Sequence, residues 1–109
     1  MRQWKCIRRL GHGFLEAVYE EALSRKFSRL RLKFKRHEKT DILYKREKIK
    51  KYEADFIVEE VVLVEIKATK GLSKMDEAQV HNYLKATQKE IGLLFNFGTI
   101  SLEYKRVIR

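Results

Sequence analysis

The chain of 109 residues has no proline, a single cysteine and only five glycines. It also has no apolar run approaching the ~18–20 residues that a membrane-spanning helix needs. Without proline, repeats or low-complexity stretches, nothing marks a linker, and residues 1–109 read as one domain. Cys6 cannot form an internal disulfide, and no set of cysteines and histidines has the spacing of a zinc site, so Cys6 reads as a bystander. The opening MRQWKCIRRL is basic throughout and lacks the apolar stretch of a secretory signal. A cytoplasmic protein that does not enter the membrane is the expectation. Acidic residues are in deficit too, 15 against 25 lysines and arginines, which leaves a formal charge of +10. A surplus of that size favours a polyanionic partner, and nine of the cations fall between Lys33 and Lys51. Charge alone supplies affinity and says nothing of chemistry, and a solvated hairpin face accounts for some such runs.

The 44% of hydrophobic residues is enough for one core. Residues 1–12 read as a short basic segment with Trp4, Ile7 and Leu10 at helical spacing, stopped by a turn at Gly11-His12-Gly13. From Phe14 to Leu30, Leu15, Val18, Tyr19, Ala22, Leu23, Phe27 and Leu30 trace one face of a helix. Glu16 projects inside that apolar arc, whereas Glu20 and Glu21 fall outside it. An acid so placed is either a satisfied structural carboxylate or one that reaches a functional cleft. Residues 31–58 suggest two or three strands with Leu32, Phe34, Ile42, Tyr44, Ile49, Tyr52 and Phe56 inward and a turn at Lys45–Lys48. Gly71 breaks the chain, and Ser73 caps a second helix running to about Lys89, with Met75, Gln79, Tyr83 and Ala86 on one face. An amide on a partly apolar face needs hydrogen-bond partners, which singles out Gln79. Ile91–Phe97 and Ile100–Ile108 read as two closing strands.

The stretch Ala54–Ala68, ADFIVEEVVLVEIKA, carries the strongest chemical signal. It reads as two strands around Glu59-Glu60, with charges inside them. Side chains alternate along a strand, so Glu65 and Lys67 share a face while Val64, Ile66 and Ala68 take the other. Charges within so apolar a run must be paired, solvated in a cleft or bound to a metal. A two-residue loop at Glu59-Glu60 would put Asp55 on the side opposite Glu65. For Asp55 to join Glu65 and Lys67, the loop must hold an odd number of residues or a strand must bulge. Two converging carboxylates suit Mg²⁺ or Mn²⁺, and a neighbouring lysine can hold or help deprotonate a water attacking phosphorus.

Gly13-Phe14-Leu15-Glu16-Ala17-Val18-Tyr19 resembles the motif of the GxxExxY family. Asp55 followed by Glu65-Ile66-Lys67 resembles the PD-(D/E)xK nuclease signature, and Gln79-Val80-His81-Asn82-Tyr83 resembles the QxxxY motif of its RecB-like members. The resemblance runs from about Ile7 to Ile108. It implies an α/β protein of α+β type with a restriction-endonuclease-like α-β-β-β-α-β core, a mixed central sheet flanked by helices. It further implies that Asp55, Glu65 and the backbone carbonyl of Ile66 hold Mg²⁺ and that Lys67 positions the water. Glu16 would stand beside the metal, and Gln79 and Tyr83 would steady the lysine or a phosphate. Ala54 replaces the signature's proline, which affects the turn more than the chemistry. Only about ten residues precede the glycines where the family has a longer helix, which implies a truncated start or a homodimer contact over exposed apolar surface.

These readings converge on a metal-dependent nuclease acting on DNA ahead of RNA. The alternative is a nucleic-acid- or partner-binding module that keeps the fold without turnover. A third reading makes Glu65 and Lys67 a surface ion pair of small energetic consequence.

Overall fold

The computed structural model describes residues 12–99 and 102–109, and the side chains of these apart from residues 12–14 and 44. The expected segment carrying Trp4, Ile7 and Leu10, together with Cys6 and Gly11, lies outside the described residues, as do Ile100 and the side chain of Tyr44. The elements run α1 (His12–Arg29), β1 (Phe34–Tyr44), β2 (Glu47–Val58), β3 (Val62–Lys67), α2 (Lys74–Thr87), β4 (Ile91–Asn96) and β5 (Glu103–Ile108). The helix therefore includes His12 and Gly13, where the sequence suggested a turn. Glycine costs a helix backbone entropy, about 1 kcal/mol against alanine, which the packing of the rest of α1 outweighs.

The five strands form one sheet in the order β1-β2-β3-β4-β5. Neighbours are antiparallel except β3 and β4, which are parallel and joined through α2. The sheet is therefore mixed, with a helix against each face. On one face Tyr19, Leu23 and Phe27 of α1 meet Phe56, Val58, Val64 and Ile66. Phe27 stands edge-on to Phe56 at 5.2 Å, and Tyr19 stacks on Phe97 at 4.1 Å. On the other face Val80 and Leu84 of α2 pack with Ile57, Leu63, Leu94 and Val107. α2 lies so close that a methyl group added at Gly92 would come within 2.8 Å of the Val80 side chain.

Local signals set the element ends. Ser73 and Asp76 form a reciprocal capping box that starts α2, and Gln88, in the left-handed region, ends it. β1 and β2 are joined at Lys45 and Arg46, both at positive φ (51° and 67°), the geometry that matches strand twist in a two-residue hairpin. Beyond the body this hairpin runs on alone. Every described side chain from residue 43 to residue 51 is exposed.

Several expected inward positions are not inward. Ile49 is 62% exposed because it is the extra residue where the β1–β2 register shifts opposite Ile42 and Leu43, out where no helix covers the strands. Leu30 lies past the end of α1, and Met75, in the first turn of α2, faces away from the sheet. The covered residues of α2 are Val80 and Leu84, with Tyr83 half-buried, and Gln79 is exposed at the rim. Ala22 of α1 is exposed as well.

Candidate metal centre and active site

The site lies where the sheet changes face. Tyr52 and Ala54 pack on the α2 side, Phe56 and Val58 on the α1 side, and Ile57 returns to the α2 side, so the alternation of β2 slips at Asp55. β1 slips with it. Phe34 packs toward α1 and Ile42 toward α2, although both are even-numbered. The register is the same on either side, Arg36 pairing with Phe56 and Glu38 with Ala54. Each strand therefore turns over at one residue, and the two residues, His37 and Asp55, stand opposite each other. His37 has a φ of 56°, in the left-handed region. A paired kink of this kind re-aims side chains at a functional centre.

The loop between β2 and β3 supplies the rest of the placement. Val58 pairs with Val62, so the loop holds three residues, Glu59, Glu60 and Val61. That odd number puts Asp55 level with Glu65. Regular pairing ends at Phe56 and Val64, and side chains then take over from backbone. The Ile66 N–H donates to Asp55 Oδ2 at 2.8 Å, which ties Asp55 to β3, and the Asp55 backbone beside Glu65 favours the ionised form of that acid. It is the N–H of Ile66 that meets Asp55.

Carboxylates crowd this point. Burial pushes Asp55 up from 3.8 to about 6, against the Ile66 hydrogen bond, with the charges of Glu20 and Glu16 adding to the rise. Burial pushes Glu65 up from 4.5 to about 8, opposed by the positive charge of Lys67 and the Asp55 backbone. Glu16 and Glu20 act on both acids, so the α1 face does reach the cleft. Lys67 acts on Glu65 through its charge, and among the described residues no direct ion pair joins the two.

Three donor atoms, one each from Glu20, His37 and Asp55, lie within 4.8 Å of one another. Glu20 contradicts the expectation that it points away from the cleft. Its side chain is only 13% exposed, drawn in by Arg36 Nη2 at 3.3 Å and by His37 Nε2 at 2.5 Å. Glu16 and Glu20 are four residues apart and share a helix stripe, a spacing that offered the signal. His37 Nδ1 meets Glu53 at 2.9 Å. Nothing in the sequence flagged His37, since its role depends on a kink in β1.

Tyr52 is the other participant that sequence reasoning passed over as ordinary core. Its hydroxyl donates to Glu65 Oε1, and its ring stacks on Tyr83 with centroids 3.6 Å apart. Tyr83 in turn accepts from Gln79 Nε2 at 2.7 Å. Burial, then the charge of Glu65, raises the Tyr83 phenol above its usual value. The Gln79–Tyr83 pair thus connects to Glu65 through Tyr52. Behind the site, fully buried Asn96 accepts from the N–H groups of Thr69 and Gly98 and donates to the Thr69 carbonyl and to Glu103, pinning the chain just after Lys67.

A kinked mixed sheet between two helices, with acids from β2, β3 and α1 converging at the kink, is a restriction-endonuclease-like arrangement. Residues 3–107 match the family model described as the PD-(D/E)XK nuclease superfamily, and the chain belongs to that superfamily. Among solved structures it is similar to the one titled "Crystal structure of SSO0001", with a TM-score of 0.70 and 18% sequence identity over 89% of this chain. The match takes in 51% of that protein, so the chain spans about half its length, and the likeness concerns the fold. No match was found among curated proteins. The superfamily suggests a metal-dependent nuclease, and no described helix is long and apolar enough to cross a membrane.

Proposed function

We propose that the chain, a single domain over residues 1–109 with a GxxExxY-type first helix, hydrolyses phosphodiester bonds of nucleic acid, DNA ahead of RNA, with Mg²⁺ or Mn²⁺. The observation that carries this reading is the close donor set of Glu20, His37 and Asp55, within 4.8 Å of one another, with Glu65 and Glu16 near enough to act on it through their charge and with Asp55 and Glu65 held well above their ordinary range. Like charges brought together out of water favour a cation, and the carboxylates are the hard-oxygen kind that these ions take. Asp55 is the common ligand. Glu65 and the Ile66 carbonyl would complete one side, Glu20 the other, and the nitrogen of His37 favours Mn²⁺ over Mg²⁺. When bound, the ion lowers the pKa of a coordinated water and offsets charge on phosphorus.

The chain's own groups do the rest. Lys67 would hold the water's oxygen as it bonds to phosphorus and an ester P–O bond breaks, its ammonium offsetting the developing charge. Tyr52 orients Glu65, and the Gln79–Tyr83 pair braces Tyr52. Glu16 adds negative charge beside the ion.

A second reading has one observation in its favour. Three of the four acids already have an internal partner, Tyr52 for Glu65, the Ile66 N–H for Asp55, and Arg36 with His37 for Glu20. That suits a binding module that retains the fold without turnover. Cleavage of supercoiled plasmid and of a labelled single strand, with Mg²⁺, with Mn²⁺ and with chelator, separates the two. Metal-dependent cutting that Lys67→Ala abolishes is the expected result. Nucleic-acid binding without cutting, with Mn²⁺ affinity unchanged in an Asp55→Ala, Glu65→Ala protein, would refute the catalytic reading.

A further inference from the structure

Charge is distributed unevenly along the β1–β2 hairpin. At its base Lys35 and Arg36 are matched by acids. Lys35 faces Glu38 and Glu60, Arg36 faces Glu20 and Glu21, and His37 lies between Glu20 and Glu53. Residues 45–51 instead hold Lys45, Arg46, Lys48, Lys50 and Lys51 against one acid, Glu47. Asp41 engages Lys48 at 3.0 Å and offsets one more. The turn itself is built from Lys45 and Arg46 at positive φ, a conformation where asparagine or glycine costs less. Two long cations occupy the place where the hairpin would tolerate the smallest residues.

Shape points the same way. The molecule measures 50 × 31 × 21 Å, and past Ile42 and Tyr52, which pack with α2, the two strands run on with every described side chain exposed. From the kink at His37 to the turn at Lys45, at ~3.3 Å per residue, the hairpin reaches roughly 26 Å, the rise of about eight base pairs, and the part past Ile42 accounts for about 10 Å of it.

We infer that the distal β1–β2 hairpin, residues 43–51, is a docking arm for duplex DNA, laid along the major groove with its cations on the flanking phosphates. The inference rests on the nucleic-acid reading above and adds to it the surface and the form of the partner. The B-form major groove, about 12 Å wide, admits a two-stranded ribbon, whereas the deep, narrow major groove of an RNA duplex does not. The arm's four lysines, Lys45, Lys48, Lys50 and Lys51, are point charges that contribute position and affinity rather than base recognition. It sets one side of the footprint, about eight base pairs from Asp55.

The test is fluorescence anisotropy with a labelled 30-base-pair DNA duplex over a range of salt concentrations, in chelator so that cutting plays no part. Replacing Lys45, Arg46, Lys48 and Lys50 by alanine is expected to weaken binding at least tenfold at 0.1 M salt. The slope of log K against log salt should fall by about 3 as neutralised phosphates are lost. All four are exposed, and far-UV circular dichroism checks the fold. Glu47→Lys keeps the test open in the other direction, with tighter binding and a steeper slope expected. An unchanged affinity and slope in both proteins would overturn the arm, as would an RNA duplex of the same sequence binding as tightly as the DNA. Failure of the nuclease reading appears separately, as intact arm-dependent binding with no metal-dependent cleavage.

Discussion

Replacing Glu65 by glutamine tests the crowding of the site without disturbing its packing, since the amide is nearly isosteric and its oxygen can still accept from Tyr52. Glu65 sits at about 8 in the folded protein against an ordinary 4.5. Between those values the folded chain keeps a proton that the unfolded chain releases. Stability in chelator therefore falls as pH rises through this window, by up to ~1.4 kcal/mol per pH unit. Asp55, raised from 3.8 to about 6, adds to the fall at the acidic end only. From pH 5 to pH 8 the part owed to Glu65 amounts to roughly 3–5 kcal/mol, a large share of the ~5–15 kcal/mol that holds a small domain together. Urea unfolding at pH 5, 6, 7 and 8 in chelator should show Glu65→Gln nearly level above pH 6, crossing the natural protein and exceeding its stability at pH 8. Excess Mn²⁺ should return ~3 kcal/mol to the natural protein at a hundredfold excess over Kd, and less to Glu65→Gln. Parallel pH profiles for the two proteins would show that Glu65 is not buried among like charges, and the argument for a metal centre would lose its basis.

Tyr52→Phe keeps the stack on Tyr83 and removes the hydroxyl that holds Glu65, so Mn²⁺ affinity measured by titration calorimetry should fall about tenfold while DNA binding in chelator is unchanged. Asn96→Ala leaves the N–H groups of Thr69 and Gly98 without their acceptor, and urea unfolding should register a loss of ~2–4 kcal/mol. Gly92→Ala pushes on the Val80 side chain and should cost ~1–3 kcal/mol, whereas a methyl group at Gly98 would meet the Thr69 backbone at 2.2–2.3 Å, where nothing can give. The melting temperature should therefore fall further for Gly98→Ala than for Gly92→Ala.

Local pattern settled a good deal of this protein. The two runs around Glu59-Glu60, the break at Gly71 with the Ser73 cap, and the closing strands were all legible, because strand alternation and helix capping act over only a few residues. The geometric demand on Asp55 was legible as well. An odd loop or a bulge had to exist, and the protein has the odd loop, Glu59 to Val61, together with a slip at Asp55 itself. Only the tertiary structure decided which residues meet there. Glu20 turns inward because Arg36 and His37, on a strand packed across α1, draw it in, and helical spacing alone cannot register a partner from another element. His37 joins because β1 and β2 turn over at the same level, a cooperative event between strands that no periodicity in either one records. Ile49, Leu30 and Met75 are apolar at positions that fit a buried face, yet they lie beyond what the helices cover, since burial depends on where a neighbour ends. The sequence by itself determined the elements, the acids and the excess of positive charge. Folding determined that Glu20 and Asp55 share one cation-sized space with His37, and that the excess of positive charge is carried out on an arm.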